Sequence, residues 1–211
     1  ELGDQAWWKV ISHYLKKHRD SSVETIDLIQ AIAEVTGRNL KPFFDQWVFR
    51  AGYPVLRAQY AWDAVHQKGD VWIAQVQDVS DESPAFKFHL SVRFQGKNWT
   101  RTFSASIGDK EHRLSYALPA EPLNIELDAD FTILKKLNLR KPYEMWIFQL
   151  RRGATARSRF TAARAAADGW PARETVVAIE AAIRRETFWG AAAEMARALG
   201  SIRSDDAFQA L

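Results

Sequence analysis

Trp7, Val10, Ile11, Tyr14 and Leu15 recur at helical spacing, which predicts a helix from about Asp4 to His18 with that stripe buried and Asp4 as its cap. Ile26, Ile29, Ile32 and Ala33 predict a second helix, from near Thr25 to a left-handed stop at Gly37. A third follows Pro42 and runs to about Arg50, with Phe44, Trp47 and Val48 at i, i+3 and i+4.

At Gly52-Tyr53-Pro54 the period changes. From there to about Asp130 the apolar residues alternate: Leu56 to Trp62, Val71 to Val76, Phe86 to Val92, Trp99 to Phe103, then shorter runs from Arg113 to Leu118 and Leu123 to Leu127. Breakers at Gln67 to Asp70, Glu82 to Pro84 and Gln95 to Asn98 separate them. The pattern predicts a small antiparallel β-sandwich. Beyond a connector holding Lys135, Lys136 and Pro142 the chain turns helical again and repeats itself: AARAAADG at 162–169 matches AEMARALG at 193–200, and Glu174 to Val177 falls on Asp205 to Phe208. Paired helices with such a period predict an α-solenoid. The predicted class is therefore α+β and multidomain, with segments 1–52, 53–130 and 131–211.

The 211 residues are ample for buried cores, and no apolar run approaches the length of a bilayer span. No membrane partner is expected. With no cysteine, disulfides and thiolate metal sites are excluded; a cytoplasmic location fits. A chain that opens on Glu1, without an initiator Met or a signal sequence, reads as a piece of a longer protein. Lys plus Arg against Asp plus Glu runs 7 to 7 over residues 1–52, 8 to 11 over 53–134, and 14 to 8 over 135–211. The arginines of the last third are spread over Ala-rich helices, so a solvated face is expected and nucleic acid is not.

Catalytic chemistry finds no motif. His13 and His18 lie five apart, about 140° around a helix, with no Glu between them, and so do not form a zinc pair. His66, His89 and His112 read as ordinary strand or loop histidines. Asp78, Asp81 and Glu82 lack the spacing and glycine of a calcium loop, and a solvated turn is expected there. The tryptophans at 7, 8, 47, 62, 72, 99, 146, 170 and 189 suggest carbohydrate stacking, but most fall at predicted core positions, and packing is the expectation.

Two stretches carry a resemblance. LGDQAWWKVISHYLKKH and VETIDLIQAIAEVTGRNLKPFFDQWVFRAGYPVLRAQYAW closely resemble the region that closes the catalytic domain of aminopeptidase N-type zinc peptidases, a branch of the gluzincins. WIFQLRRGATARSRFTAARAAADG and FWGAAAEMARALGSIRS look like HEAT-type repeats of some bacterial members. The resemblance implies that residues 1–52 are the last helices of a thermolysin-like domain. Trp47, Gly52, Tyr53 and Pro54 would then mark its junction with the sandwich, the Tyr53 hydroxyl tying down backbone. It implies a parent that removes amino-terminal residues with a zinc-activated water, while HExxH, the third zinc ligand, the exopeptidase motif and the oxyanion tyrosine are missing here, so that this segment has no catalytic residue, no metal ligand and no cofactor. Tyr14 and Tyr53 do not inherit the oxyanion role. The implied partners are the remainder of the catalytic domain and the parent's peptide substrate, with basic helical residues available to attract a peptide carboxylate. Self-association through the exposed first helices is also expected. The alternative is an interaction scaffold of the same architecture whose zinc site has been lost.

Overall fold

The computed structural model describes residues 2–80 and 84–210; Asp81 and Glu82 of the acidic cluster lie outside them. Among the described residues there are eight α-helices and two β-sheets, and the chain divides into two compact units, residues 1–53 and 54–211.

In the first unit α1 spans Asp4–Lys17, α2 Thr25–Thr36 and α3 Lys41–Phe44, followed by a π-helical turn over Asp45–Phe49. Asp4 is the first helical residue and Gly3 the cap, one place earlier than predicted. Helix α2 opens with a reciprocal box in which Glu24 and Asp27 each accept the other's backbone N–H, and it closes on Gly37 in the left-handed region. The core is small: Val10, Ile29, Ile32, Leu40 and Phe44, with Leu2, Leu28 and Val35 packed on it. The predicted stripe is buried only at Val10, while Leu15 is exposed. The π-turn accounts for a second departure. Its extra residue per turn breaks the i, i+3, i+4 phase that sequence spacing assumes, so Phe44 is buried while Val48 and Phe49 face solvent.

The second unit begins with two sheets. Strands β1 (Val55–Asp63), β2 (Lys68–Gln75), β5 (Glu111–Ala117) and β7 (Lys136–Arg140) form one, in the order β5-β2-β1-β7. Strands β3 (Phe88–Gln95), β4 (Thr100–Ile107) and β6 (Asn124–Leu127) form the other, in the order β4-β3-β6. Inward side chains of the two sheets meet, with Phe94 5.5 Å from Tyr116 and 6.2 Å from Tyr60 between ring centres. Strand β2 starts where a breaker was expected, because Gly69 in its second position leaves room for the Phe94 ring: a Cβ there would stand 3.0 Å from it. The sequence pattern predicts an antiparallel sheet ending near Asp130, with Lys135, Lys136 and Pro142 in a connector. Instead β7 pairs parallel to β1, Leu56 opposite Leu137 and Ala58 opposite Leu139. The chain crosses from β6 through residues 128–135, of which only Asp128 and Ala129 are buried, and re-enters beside β1, so that β7 runs parallel to it.

Helices α4 (Tyr143–Arg152), α5 (Ala156–Gly169), α6 (Arg173–Ile183), α7 (Trp189–Ser201) and α8 (Asp205–Gln209) follow, packed on a core that includes Trp146, Leu150, Ala166, Ile179, Met195 and Leu199. The two stretches matched in sequence fall on α5 and α7, but their burial follows a different register. Sequence identity aligns α5 with α7 at an offset of 31, whereas burial equates Ala163, Ala166 and Ala167 with Met195, Ala198 and Leu199, an offset of 32. Packing, which senses the helical phase, overrides letter matching among alanines.

Candidate functional site

Two features of the second unit gather chemistry-bearing side chains, and the first is a buried lysine. Leu137, Leu139 and Lys141 share one parity along and just beyond β7, so the alternation that half-buries the leucines also carries Lys141 inward. Its Nζ donates to Asn124 Oδ1 at 2.6 Å, to the Ile125 carbonyl at 2.8 Å and to Gln149 Oε1 at 2.5 Å, and it lies 4.1 Å from the centre of the Trp146 ring. Gln149 in turn donates to the Ser158 carbonyl at 2.9 Å, and the Ser158 hydroxyl donates to Glu126, which also accepts from Asn124.

Burial pulls the Lys141 pKa down from the usual lysine range, and the nearby Glu126 charge works against it. Three acceptors each take one hydrogen, which an ammonium supplies and a neutral amine cannot, so the cage is built for the charged form. Asn124, Glu126, Lys141, Gln149 and Ser158 are all buried. A sealed network of this kind admits no substrate; it bonds β6 and the end of β7 to α4 and α5. Gly153 belongs to it sterically, since a Cβ there would approach the Gln149 carbonyl and Ser158 Oγ to 2.7 Å. Sequence reasoning passed over this site because lysine and glutamate beside Pro142 and a short strand read as surface residues. The signal that could have found it is the parity of Leu137, Leu139 and Lys141.

The second feature is a cleft of about 790 Å³ at the ends of α4 and α6, floored by Leu150, Ala178, Ala182 and Met195. Arg151, Arg152, Arg159, Arg185 and Glu186 line its polar side. Arg159 clamps Glu186 with two bonds of 2.7 and 2.8 Å and also donates to the Gly153 carbonyl at 3.0 Å. The Arg159 bond holds the Glu186 carboxyl below its ordinary range, so the acid is neutralised by its partner. The guanidinium groups of Arg151, Arg152 and Arg185 make no ion pair among the described residues. The helix ends hold them favourably through the carbonyl dipoles, and the cleft is left with a surplus of positive charge suited to an anion.

The predicted junction residues are placed as follows. Trp47 is half-buried in the π-turn, Gly52 has φ of 89°, and Pro54 is buried, its carbonyl accepting from Lys136 N at 3.0 Å. Tyr53 is 46% exposed and its hydroxyl makes no hydrogen bond among the described residues, so the expected tie to backbone is absent. Exposure at a corner leaves water as the hydroxyl's partner.

Three of the five histidines find local hydrogen-bond partners, while His18 Nε2 is buried without one among the described residues. His13 Nε2 lies 2.7 Å from Glu34, which also accepts from Lys17; His66 bonds Asp63 at 2.7 Å; His112 Nε2 accepts the Gly108 and Asp109 N–H groups, both at 3.1 Å. Among the described residues no three His, Cys, Asp or Glu side chains converge as a metal ion requires, so they do not fit a zinc site. Of the nine tryptophans Trp146 is buried, Trp7, Trp47, Trp62 and Trp99 are half-buried, and Trp8, Trp72, Trp170 and Trp189 are exposed, so the packing expectation holds for five and fails for four. Periodicity places a residue on a face, and which face lies inward depends on neighbours the spacing does not reveal. No described helix is long and apolar enough to cross a membrane.

No family model matches the chain. An aminopeptidase N of Lactococcus lactis subsp. lactis is 34% identical over 64 residues, which are 30% of this chain and 8% of that protein. A leucyl aminopeptidase of Saccharolobus solfataricus is 26% identical over 98 residues, 46% of this chain and 12% of that one. The tricorn protease-interacting factor F2 of Thermoplasma volcanium is 38% identical over 56 residues, 26% of this chain and 7% of that one. A crystal structure of Legionella pneumophila aminopeptidase A in complex with aspartic acid superposes on 99% of this chain and 27% of its own, with a TM-score of 0.71 and 11% identity. The chain carries an aminopeptidase-related region. It spans a small fraction of the length of the aminopeptidases it matches, and its mixed α/β fold matches about a quarter of one solved aminopeptidase.

Proposed function

We propose that this chain is the non-catalytic carboxyl-terminal region of a zinc aminopeptidase homologue. Residues 1–52 would close the catalytic domain, 53–130 would form a β-sandwich that β7 rejoins, and the remaining helices would begin a HEAT-like solenoid. The observation that carries the reading is one structural match spanning 99% of the chain, joined to sequence identity with aminopeptidases over about 60 residues. The parent would hydrolyse amino-terminal residues from peptides. This region would brace the catalytic domain and wall its cleft, with the arginine-lined hollow drawing in a peptide carboxylate. Zinc would be held elsewhere in the parent.

The test is metal analysis of the purified chain together with assays on aminoacyl chromogenic substrates, and sequencing of the reading frame upstream of Glu1. The expected result is no stoichiometric zinc and no turnover, with HExxH and a distant Glu encoded upstream. One equivalent of tightly held zinc, or chelator-sensitive turnover, overturns the non-catalytic role. Degraded upstream ligands would favour the scaffold alternative, to which the similarity to an interacting factor gives some support.

The first unit also leaves apolar side chains bare. Trp8 is 66% exposed, and Val48 and Phe49 are exposed as well, where a parent catalytic domain would offer cover. A second copy is expected to take that place in the isolated chain. Sedimentation velocity should show concentration-dependent association that Trp8→Glu weakens several-fold; an unchanged profile for that variant would count against it.

A further inference from the structure

The outer face of the four-stranded sheet carries a charge pattern that packing does not explain. Pairing register places Arg113, Trp72, Gln59 and Arg140 in one row across β5, β2, β1 and β7, and Glu111, Ala74, Arg57 and Asn138 in the next. All three arginines are exposed, and none has an ion pair among the described residues. Trp72 is 37% exposed between them, above a hollow of about 410 Å³. Three arginines against one acid, Glu111, leave these two rows with a surplus of positive charge, and like charges gathered on one sheet face cost stability. Residues 53–134 hold 8 basic against 11 acidic residues, so two of the few cations in an acidic segment stand beside one bare indole.

We infer that this face is a docking surface for an acidic protein segment that sets carboxylates on Arg57, Arg113 and Arg140 around an apolar group resting on Trp72. Guanidinium forks bind carboxylates in paired hydrogen bonds, and the indole gives a flat contact at little entropic cost. The size of the positive band selects the occupant. Four strands span about 14 Å at their usual spacing, room for two or three carboxylates. The next row along the same face carries Asp70, and the one after it sets Asp63 opposite Lys68, so the run of unopposed positive charge ends there. A nucleic acid strand, charged at every residue, fits such a bounded patch poorly.

The test titrates the full chain, labelled with nitrogen-15, with acetyl-Glu-Glu-Phe-Glu-Glu-amide, its all-Gln analogue and a twelve-residue oligo-dT. The Trp72 indole N–H signal is assigned by its loss in Trp72→Phe. The acidic peptide is expected to shift that signal saturably and more weakly at high salt, and R113E with R140E should weaken binding at least tenfold while leaving the thermal unfolding midpoint in place. If charge reversal disturbs folding, R113Q with R140Q serves the same purpose. An unmoved Trp72 signal, equal binding of the Gln peptide, tighter binding of oligo-dT, or an affinity indifferent to the arginine variants would each overturn the assignment.

Discussion

Replacing Lys141 by Met should cost about 3–5 kcal/mol of unfolding free energy, the range seen when one partner is removed from a buried charged network. Methionine fills nearly the same volume, so the effect isolates the lost hydrogen bonds and charge. The Asn124 and Gln149 side-chain oxygens and the Ile125 carbonyl would each lose a donor without gaining access to water. Glu126 would lose its nearby positive charge. The measurement is the denaturant midpoint followed by circular dichroism, with exposed Lys136→Met as the control; a loss no larger than the control's would show that the cage contributes nothing. Glu126→Gln should cost less on the Lys141→Met background than alone, since the two act through one network.

Asp128→Asn is the second large effect, expected at about 3 kcal/mol, the low end of the same range. The Asp128 carboxylate is buried and accepts from Thr132 N at 2.9 Å, Thr132 Oγ1 at 2.8 Å, Ile133 N at 3.1 Å and Lys135. Asn keeps the size of Asp and its tolerance of the positive φ of 52° found here, so the charge is what changes. Burial alone would raise the pKa of this acid; the Lys135 bond and the Thr132 donors outweigh it and hold the carboxyl below its ordinary value of 3.8. The stabilisation is therefore complete above that value and is lost as pH falls through the lower, folded one. Acid titration of the denaturant midpoint should show this loss in the parent chain and a shallower dependence in Asp128→Asn; identical pH profiles would contradict it.

Much of this was legible in the chain. Thr25 and Gly37 bound α2 because a capping carboxylate and a left-handed glycine are local devices, set by sequence neighbours. Six of the seven strands followed from alternation alone. Strand β7 did not, since Lys-Leu-Asn-Leu-Arg offers two apolar residues and its stability comes from β1, about 80 positions away. The lysine cage was hidden for the same reason: Asn124, Lys141, Gln149 and Ser158 come from four separate segments, and nothing in any one marks it as buried. Trp72 shows the opposite failure. Alternation places it in a strand but does not say which face is inward, because a one-residue choice of parity decides inside from outside, and Trp72 lies on the outer face.

The late pairing of β7 with β1 has a consequence for how the molecule is made. During synthesis β1 emerges long before Lys136, so one flank of that strand waits with open backbone donors and acceptors while β2 closes the other. Pairings between distant segments form slowly because the loop between them must first be closed. For that interval the sheet has an unguarded border able to recruit a strand from another nascent chain. A gene fragment ending near residue 130 would make the interval permanent, and the boundary that looks natural from the change of periodicity is therefore a poor place to cut.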